Sequence, residues 1–345
     1  MPIAHWESLV RVRELGEFAL IERLAALVQE RIGSTPSVEH GIGDDAALWR
    51  PTPGWVSVLT TDTMLEGVHF RRQTMPWRDL GWKALAVNLS DLAAMAAEPR
   101  VTLVTLGLTG EEEVTDILAL YGGMADLALG HAVQIVGGDT VRAAQVQIGI
   151  TALGEVVELD GVAQALRRGA ARAGDVLAVT GHPGNAAGGL ELLLQGLAAT
   201  CGALTAAHRR PEPRVKEAAW LFGQGVRCAT DSSDSLVRET ELLCAASGVA
   251  AWIDADLLPL SSALRATLPD RATELALFGG EDYELVLAIP AARFPAIATA
   301  WSTQFSHPLT AVGGFCARKP NAAQVRVRNY QGPHTEFEHF PGHAS

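Results

Sequence analysis

The chain has 345 residues, 39 of them acidic and 27 basic, for a formal net charge of −12. That balance argues against sequence-independent nucleic-acid binding, which runs on clustered Lys and Arg. A hydrophobic content of 48% excludes disorder of the chain as a whole, and at about 100–200 residues per domain the length predicts two domains.

Glu7, Arg11, Arg13, Glu14, Glu17, Glu22 and Arg23 exclude the apolar core of a secretory leader from the first thirty residues. Phe18, Ile21, Leu24, Leu27 and Val28 recur at helical spacing and predict one face of an amphipathic helix. A glycine-rich passage, GIGDDAAL, follows at 41–48. Residues 56–61 read as a strand ending in Asp62, and 79–97 as a long helix of small residues stopped by Pro99. Its most apolar part, 84–97, is shorter than the roughly 20 residues of a membrane span and contains Asn88 and Asp91. Residues 101–108 are rich in strand formers, and 111–129 read as a helix with acidic residues in its first turn, where the helix dipole favours them. A short apolar run at 133–136 is closed by Gly137-Gly138-Asp139-Thr140, and 145–157 form a further strand.

The pattern then restarts. Residues 167–174 read as a basic linker or first turn, 175–180 as a strand, Gly181-His-Pro-Gly184 as a turn and 185–197 as a helix. A strand at 226–230 ends in Asp231 and leads into a helix at 234–247, with strands at 249–253, 284–289 and 325–328. A domain boundary is expected near residue 157, giving an N-terminal domain 1–157 and a C-terminal domain 158–345. Both halves mix strands and helices, so the class is α/β or α+β. Cys201, Cys228, Cys244 and Cys316 are far apart with no CxxC, which excludes an obvious zinc site or disulfide framework and predicts four reduced thiols in a cytoplasmic protein.

The chemistry is expected where the aspartates fall. Asp44 and Asp45 follow Gly43, Asp62 follows two threonines, Asp91 sits in an apolar helix, Asp139 follows two glycines, and Asp231 and Asp234 flank two serines. A lone charge in such apolar settings is costly. Carboxylates gathered in one cleft need cations between them, and Mg²⁺ takes oxygen ligands from one or two carboxylates plus substrate phosphates. The pattern therefore suggests a Mg²⁺–phosphate site. Taken singly, most of these aspartates fit a helix cap or a turn equally well; Asp91, apolar on most sides, calls for a partner or a metal. GxxxxGK[ST], GxGxxG and the protein-kinase motifs are absent.

Together these passages resemble the thiamine-monophosphate kinase family. The matching stretches are GEFALIERL (16–24), GIGDDAAL (41–48), TTDTMLEGVHF (60–70), KALAVNLSDLAAMAAEP (83–99), VGGDT (136–140), the basic, glycine-bearing passage 167–181, and GGEDYEL (279–285). The wider relatives are ATP-using enzymes similar to aminoimidazole ribonucleotide synthetase. The resemblance implies a two-domain fold of that kind, with N-terminal sheets pairing across a homodimer. It implies ATP-dependent phosphorylation of thiamine monophosphate to thiamine diphosphate, with several Mg²⁺ ions and ATP as co-substrate, and no nucleic-acid or membrane partner. By motif position it implies magnesium ligands at Asp45, Thr60, Thr61, Asp62, Asp91, Asp139, Asp231 and Asp234. ATP contacts fall to Gly138, Arg168, Ser233 and Tyr121, and thiamine contacts to His69, Glu281 and Phe337. No side-chain nucleophile or base is expected.

One departure stands out. The family usually has an aliphatic residue and a glycine where this chain has Ser232 and Ser235. If position 235 has positive φ, serine there costs on the order of 1 kcal/mol. Three other readings share the carboxylate pattern: a related ATP-dependent enzyme with another acceptor, a phosphate-releasing hydrolase, and a non-catalytic nucleotide- or metal-binding module. Dependence of ATP consumption on thiamine monophosphate separates them.

Overall fold

The computed structural model describes residues 10–319 and 323–333. They form two compact units: the described residues up to Leu92 with Ala96–Gln164, and Ala93–Met95 with those from Ala165 onward.

The first unit runs α1 (Val12–Leu15), α2 (Glu17–Arg31), β1 (Val38–His40), β2 (Leu48–Trp49), β3 (Trp55–Leu65), α3 (Trp77–Ala94), β4 (Glu98–Leu108), α4 (Val114–Gly130), β5 (Gln134–Arg142), β6 (Gln147–Leu159) and β7 (Val162–Ala163). Its main sheet has the order β3-β6-β4-β5, with β7 on β6. Only β4 and β5 are parallel, and α4 between them makes the crossover that a parallel pair requires. Strand alternation puts Val104, Leu106, Ile148, Ile150 and Ala152 on a buried face. The other face carries Leu59, Thr61, Thr63, Leu103 and Thr105, all exposed.

Several local expectations shift. The buried line of α2 is Leu20, Leu24 and Val28, spaced four apart, while Phe18 is 80% exposed. Asp62 lies inside β3 rather than at its end, because pairing with β6 continues to Leu65. Gly137-Gly138-Asp139-Thr140 is part of β5, not a turn, since β4 holds it in register through Arg142. Pro99 sits within β4, at a register break where its missing N–H is tolerated. Residue 157 falls inside β6, which continues into the pairing with β7.

The second unit contains β8 (Asp175–Thr180), α5 (Asn185–Leu194), α6 (Gly202–Arg209), α7 (Val215–Gly223), β9 (Cys228–Asp231), α8 (Leu236–Ser247), β10 (Val249–Asp254), α9 (Ser262–Thr267), α10 (Ala272–Phe278), β11 (Leu285–Pro290), α11 (Phe294–Gln304), β12 (Leu309–Ala317) and β13 (Val325–Arg328). The sheet order is β13-β10-β12-β8-β11-β9, antiparallel except for β10 with β13. Residues 309–317 show no clear strand pattern in the sequence because Gly313-Gly314 interrupts the apolar run. None of the described helices is long and apolar enough to cross a membrane.

One end of this sheet is tied by a buried ion pair. Glu284, just before β11, accepts hydrogen bonds from Arg214 Nε (2.7 Å) and Thr180 Oγ1 (2.6 Å), and the Leu285 N–H donates to Thr180 Oγ1 (2.8 Å). Burial pushes the Glu284 carboxyl up, but the Arg214 charge and these donors outweigh it and hold the group below its ordinary value. Arg214→Met should leave a buried carboxylate without its cation, at a cost of about 3–5 kcal/mol. Because a lowered carboxyl contributes stability above its ordinary value of 4.5 and loses it as the pH falls through its lowered folded value, the deficit should be full at pH 7 and smaller at pH 3. Urea denaturation at both pH values measures this; an equal deficit at both would contradict it.

Candidate functional site

In the first unit the strand period of two meets the helix spacing of three. Thr60 and Asp62 point to the same side of β3, and Asn88 and Asp91 share a face of α3. Thr60 Oγ1 donates a hydrogen bond to Asp91 Oδ2, and the Asp62 N–H donates to Asn88 Oδ1 at 3.1 Å. Thr61, on the opposite side, donates to the Ile150 carbonyl (3.0 Å) and accepts from Thr151 Oγ1 (3.2 Å). Burial, and then the neighbouring Asp91 charge, push the Asp62 carboxyl up to about 6. An Asp62 carboxyl raised by burial and by the Asp91 charge, beside the Thr60 hydroxyl and the Asn88 amide oxygen, belongs to a donor set suited to a hard divalent cation.

Other expected ligands stand elsewhere in this unit. Asp45 is exposed, and its N–H donates to Asp44 Oδ1 (2.8 Å). Asp139, also exposed, is aligned by register with Thr105, Gly149 and Thr63, the row beside that of Asp62. It is on β5 while Asp62 is on β3, the opposite edge of four strands, a separation of about 14 Å at the usual strand spacing. Among the described residues, no three His, Cys, Asp or Glu side chains gather into a metal-sized group. Gly138 passes so close to β4 that a Cβ would lie 1.8 Å from the Val104 carbonyl oxygen. His69 Nδ1 accepts from the Leu65 N–H (3.0 Å), which leaves the ring proton of the neutral form on Nε2. Tyr121 is buried in α4, and burial raises its phenol. Phe337 lies outside the described residues.

The second unit brings its candidates together at the sheet end tied by Glu284. β9 delivers Asp231, paired with Leu285 of β11. The 232–234 loop is laced to the 281–284 segment: Glu281 N–H to Ser233 O (2.8 Å), Tyr283 N–H to Ser232 O (3.0 Å) and Ser232 N–H to Glu284 O (2.7 Å). A Cβ on Gly280 would lie 2.4 Å from the Asp234 carbonyl oxygen, so only glycine fits there. Glu281 and Tyr283 have left-handed φ of 68° and 53°, costing roughly 1–2 kcal/mol each. The Glu281 carboxylate is half-buried, 3.4 Å from His208 Nδ1.

A polar chain runs alongside. Arg168 Nε donates to Thr230 Oγ1 (3.1 Å), and Thr230 and Ser233 donate to the two oxygens of Glu239 (3.2 and 3.4 Å). Burial pushes Glu239 up to about 7, against the lowering effect of Arg168 and with a further push from Asp234. Sequence reasoning passed over Glu239, Asn88 and Asp282; each is an ordinary polar residue until its partners are known. The serine departures also resolve. Ser235 has extended φ of −169° and N-caps α8, its Oγ accepting from the Arg238 N–H (3.0 Å). The strain expected for a positive φ is therefore absent, and serine suits this position well. Ser232 Oγ accepts from the Glu284 N–H (3.0 Å).

A raised carboxyl pKa is a stability penalty that begins above the unfolded value of 3.8 and is complete above the folded value of about 6. In the absence of divalent cations, Asp62→Asn should raise stability at pH 8 by about 2–3 kcal/mol, and the gain should fade as the pH is lowered to 4. Thermal melts across that range test it; a gain independent of pH would show that Asp62 carries no such penalty.

Residues 43–156 match the family of AIR synthase related proteins, N-terminal domain. The thiamine-monophosphate kinase of Bacillus subtilis (strain 168) is 38% identical over 255 residues, 72% of this chain and 77% of that protein. That of Escherichia coli (strain K12) is 37% identical over 312 residues, 88% of this chain and 91% of the relative. Among solved structures, thiamine-monophosphate kinase from Stenotrophomonas maltophilia K279a is 40% identical with a TM-score of 0.79, covering 90% of this chain and 96% of its own. AaThiL complexed with AMPPCP and TMP is 30% identical with a TM-score of 0.73, covering 96% and 99%. The hydrogenase maturation protein HypE of E. coli, 20% identical with a TM-score of 0.71 and covering 94% and 98%, shares the fold. By identity and by coverage, the chain belongs to the thiamine-monophosphate kinase family.

Proposed function

We propose that this protein transfers the γ-phosphoryl group of ATP to the phosphate of thiamine monophosphate, making thiamine diphosphate in the cytoplasm. The observation that carries the reading is kinship along nearly the whole chain with AaThiL, whose structure is named as a complex with AMPPCP and TMP. The acceptor is a phosphate monoester with a second pKa of about 6, so its attacking oxygen is already an anion at neutral pH. No protein base is needed. The protein's task is in-line alignment of two polyanions that repel one another.

Asp45, Thr60, Thr61, Asp62, Asp91, Asp139, Asp231 and Asp234 are assigned to magnesium, of which the Asp62–Asp91 pair with Thr60 is the set whose oxygen-only donors and raised Asp62 carboxyl support a cation. Bound there, Mg²⁺ would offset the charge of the phosphates. Gly138, Arg168, Ser233 and Tyr121 are assigned to ATP, and His69, Glu281 and Phe337 to the thiamine phosphate. Residues 1–157 would serve ATP, magnesium and dimerisation, and 158–345 the remaining contacts. A homodimer is supported by β3: among the described residues no strand pairs with the outer edge of this eleven-residue strand, with Leu59 66% exposed and neither Pro nor Lys to block pairing.

ATP consumption should depend on added thiamine monophosphate and vanish with EDTA. Asp139→Asn should lower kcat by about a hundredfold or more without unfolding the protein. Transfer should invert configuration at phosphorus; retention, or a phosphoaspartate, would refute direct transfer. Turnover of ATP without the acceptor would point to a hydrolase instead. Sedimentation should give about twice the 36.5 kDa chain mass, and a monomer at micromolar concentration would remove the dimer.

A further inference from the structure

The helix α5 lacks a cap of its own. Its N-cap residue, Gly184, has φ 89°, and a Cβ there would lie 2.6 Å from the Ala276 N atom, so no capping side chain fits. The acceptor comes instead from a residue far along the chain. Asp282 Oδ2 accepts from the Gly184 N–H (2.6 Å) and Oδ1 from the Ala186 N–H (2.9 Å). Asp282 stands between the two left-handed residues Glu281 and Tyr283, whose N–H groups are tied to the 232–233 backbone. Beyond it, Glu284 is held by Arg214 and Thr180. A non-glycine left-handed residue persists only where its surroundings over-determine it. Here the clamp on Asp282 supplies the middle of that constraint.

We infer that Asp282 is a positioning residue for acceptor binding: by seating its carboxylate on the first turn of α5 it locks the Glu281–Tyr283 turn and so fixes the Glu281 carboxylate beside His208. The inference rests on the assignment of Glu281 to the thiamine phosphate. Ser233 on the nucleotide side has a separate support in Glu239, so loosening Asp282 should act on one substrate more than the other.

Asp282→Asn keeps the shape but can accept through only one atom. It should raise KM for thiamine monophosphate by about tenfold while KM for ATP stays within about twofold. Glu281→Gln alone should also raise the acceptor KM, and adding Asp282→Asn to it should change that value by less than about twofold, because the two act as a unit. Unchanged acceptor KM in Asp282→Asn, an equal rise in both KM values, or effects that multiply in the double variant would overturn the inference while leaving the assignment of Glu281 intact. A Glu281→Gln enzyme with wild-type acceptor KM would remove that assignment and the inference with it. Should Asp282→Asn fold poorly, Asp282→Ser retains an acceptor oxygen, and its acceptor-induced rise in Tm, smaller than that of wild type if the inference holds and equal to it if not, gives the same decision.

Discussion

Asp62 and Asp91 face one another across the contact between β3 and α3, half out of water, and the structure on both sides holds them there. Thr60 donates to one carboxylate and Asn88 fixes the backbone beside the other. Burial and like charge raise the Asp62 pKa, which is the mark of a pair that would gain from a cation between its members. The cation site proposed in the first unit depends on this arrangement. A helix packed on the strand supplies the second acid, and the pleat sends Thr61 the other way.

In the second unit the governing constraint is close approach of backbones. The 232–234 loop and the 281–284 segment share hydrogen bonds along their length, and Gly280 admits nothing larger. Groups assigned to nucleotide and to acceptor thereby lie on two hydrogen-bonded segments, the first with its own support in Glu239. The Arg214–Glu284–Thr180 network anchors the second segment to the sheet, and the bond from Asp282 to α5 ties it to a helix. Two strained residues survive in its middle because neighbouring anchors leave no alternative.

The open face and free edge of the first sheet have a different character. Leu59 and Leu103 are exposed in a field of threonines and glycine, and among the described residues no strand pairs with the outer edge of β3. Soluble proteins rarely leave such an edge bare. In the homodimer proposed above, a second copy of the same strand would satisfy it.

Much was legible in the sequence alone: two mixed units, the approximate elements, the motifs and their family, and the residue types that suit phosphate and magnesium. The units and elements follow from local periodicity and composition, and the family from the resemblance of its motifs. What the sequence did not reveal was which of the aspartates meet. Asp62 and Asp91 are brought together by a strand pleat and a helix turn, while Asp139 is carried to the far edge of the sheet by strand order. Gly137-Gly138-Asp139-Thr140 looked like a turn because glycine pairs usually break strands, yet β4 holds it extended. Ser235 looked strained and proved to be a cap, since its φ depends on how α8 begins. Asp282 looked like one acid among three, and its role appeared only with its partners on α5. A side chain's chemistry is local, but its neighbours are fixed by register and by contacts between distant segments, and those only the tertiary structure decides.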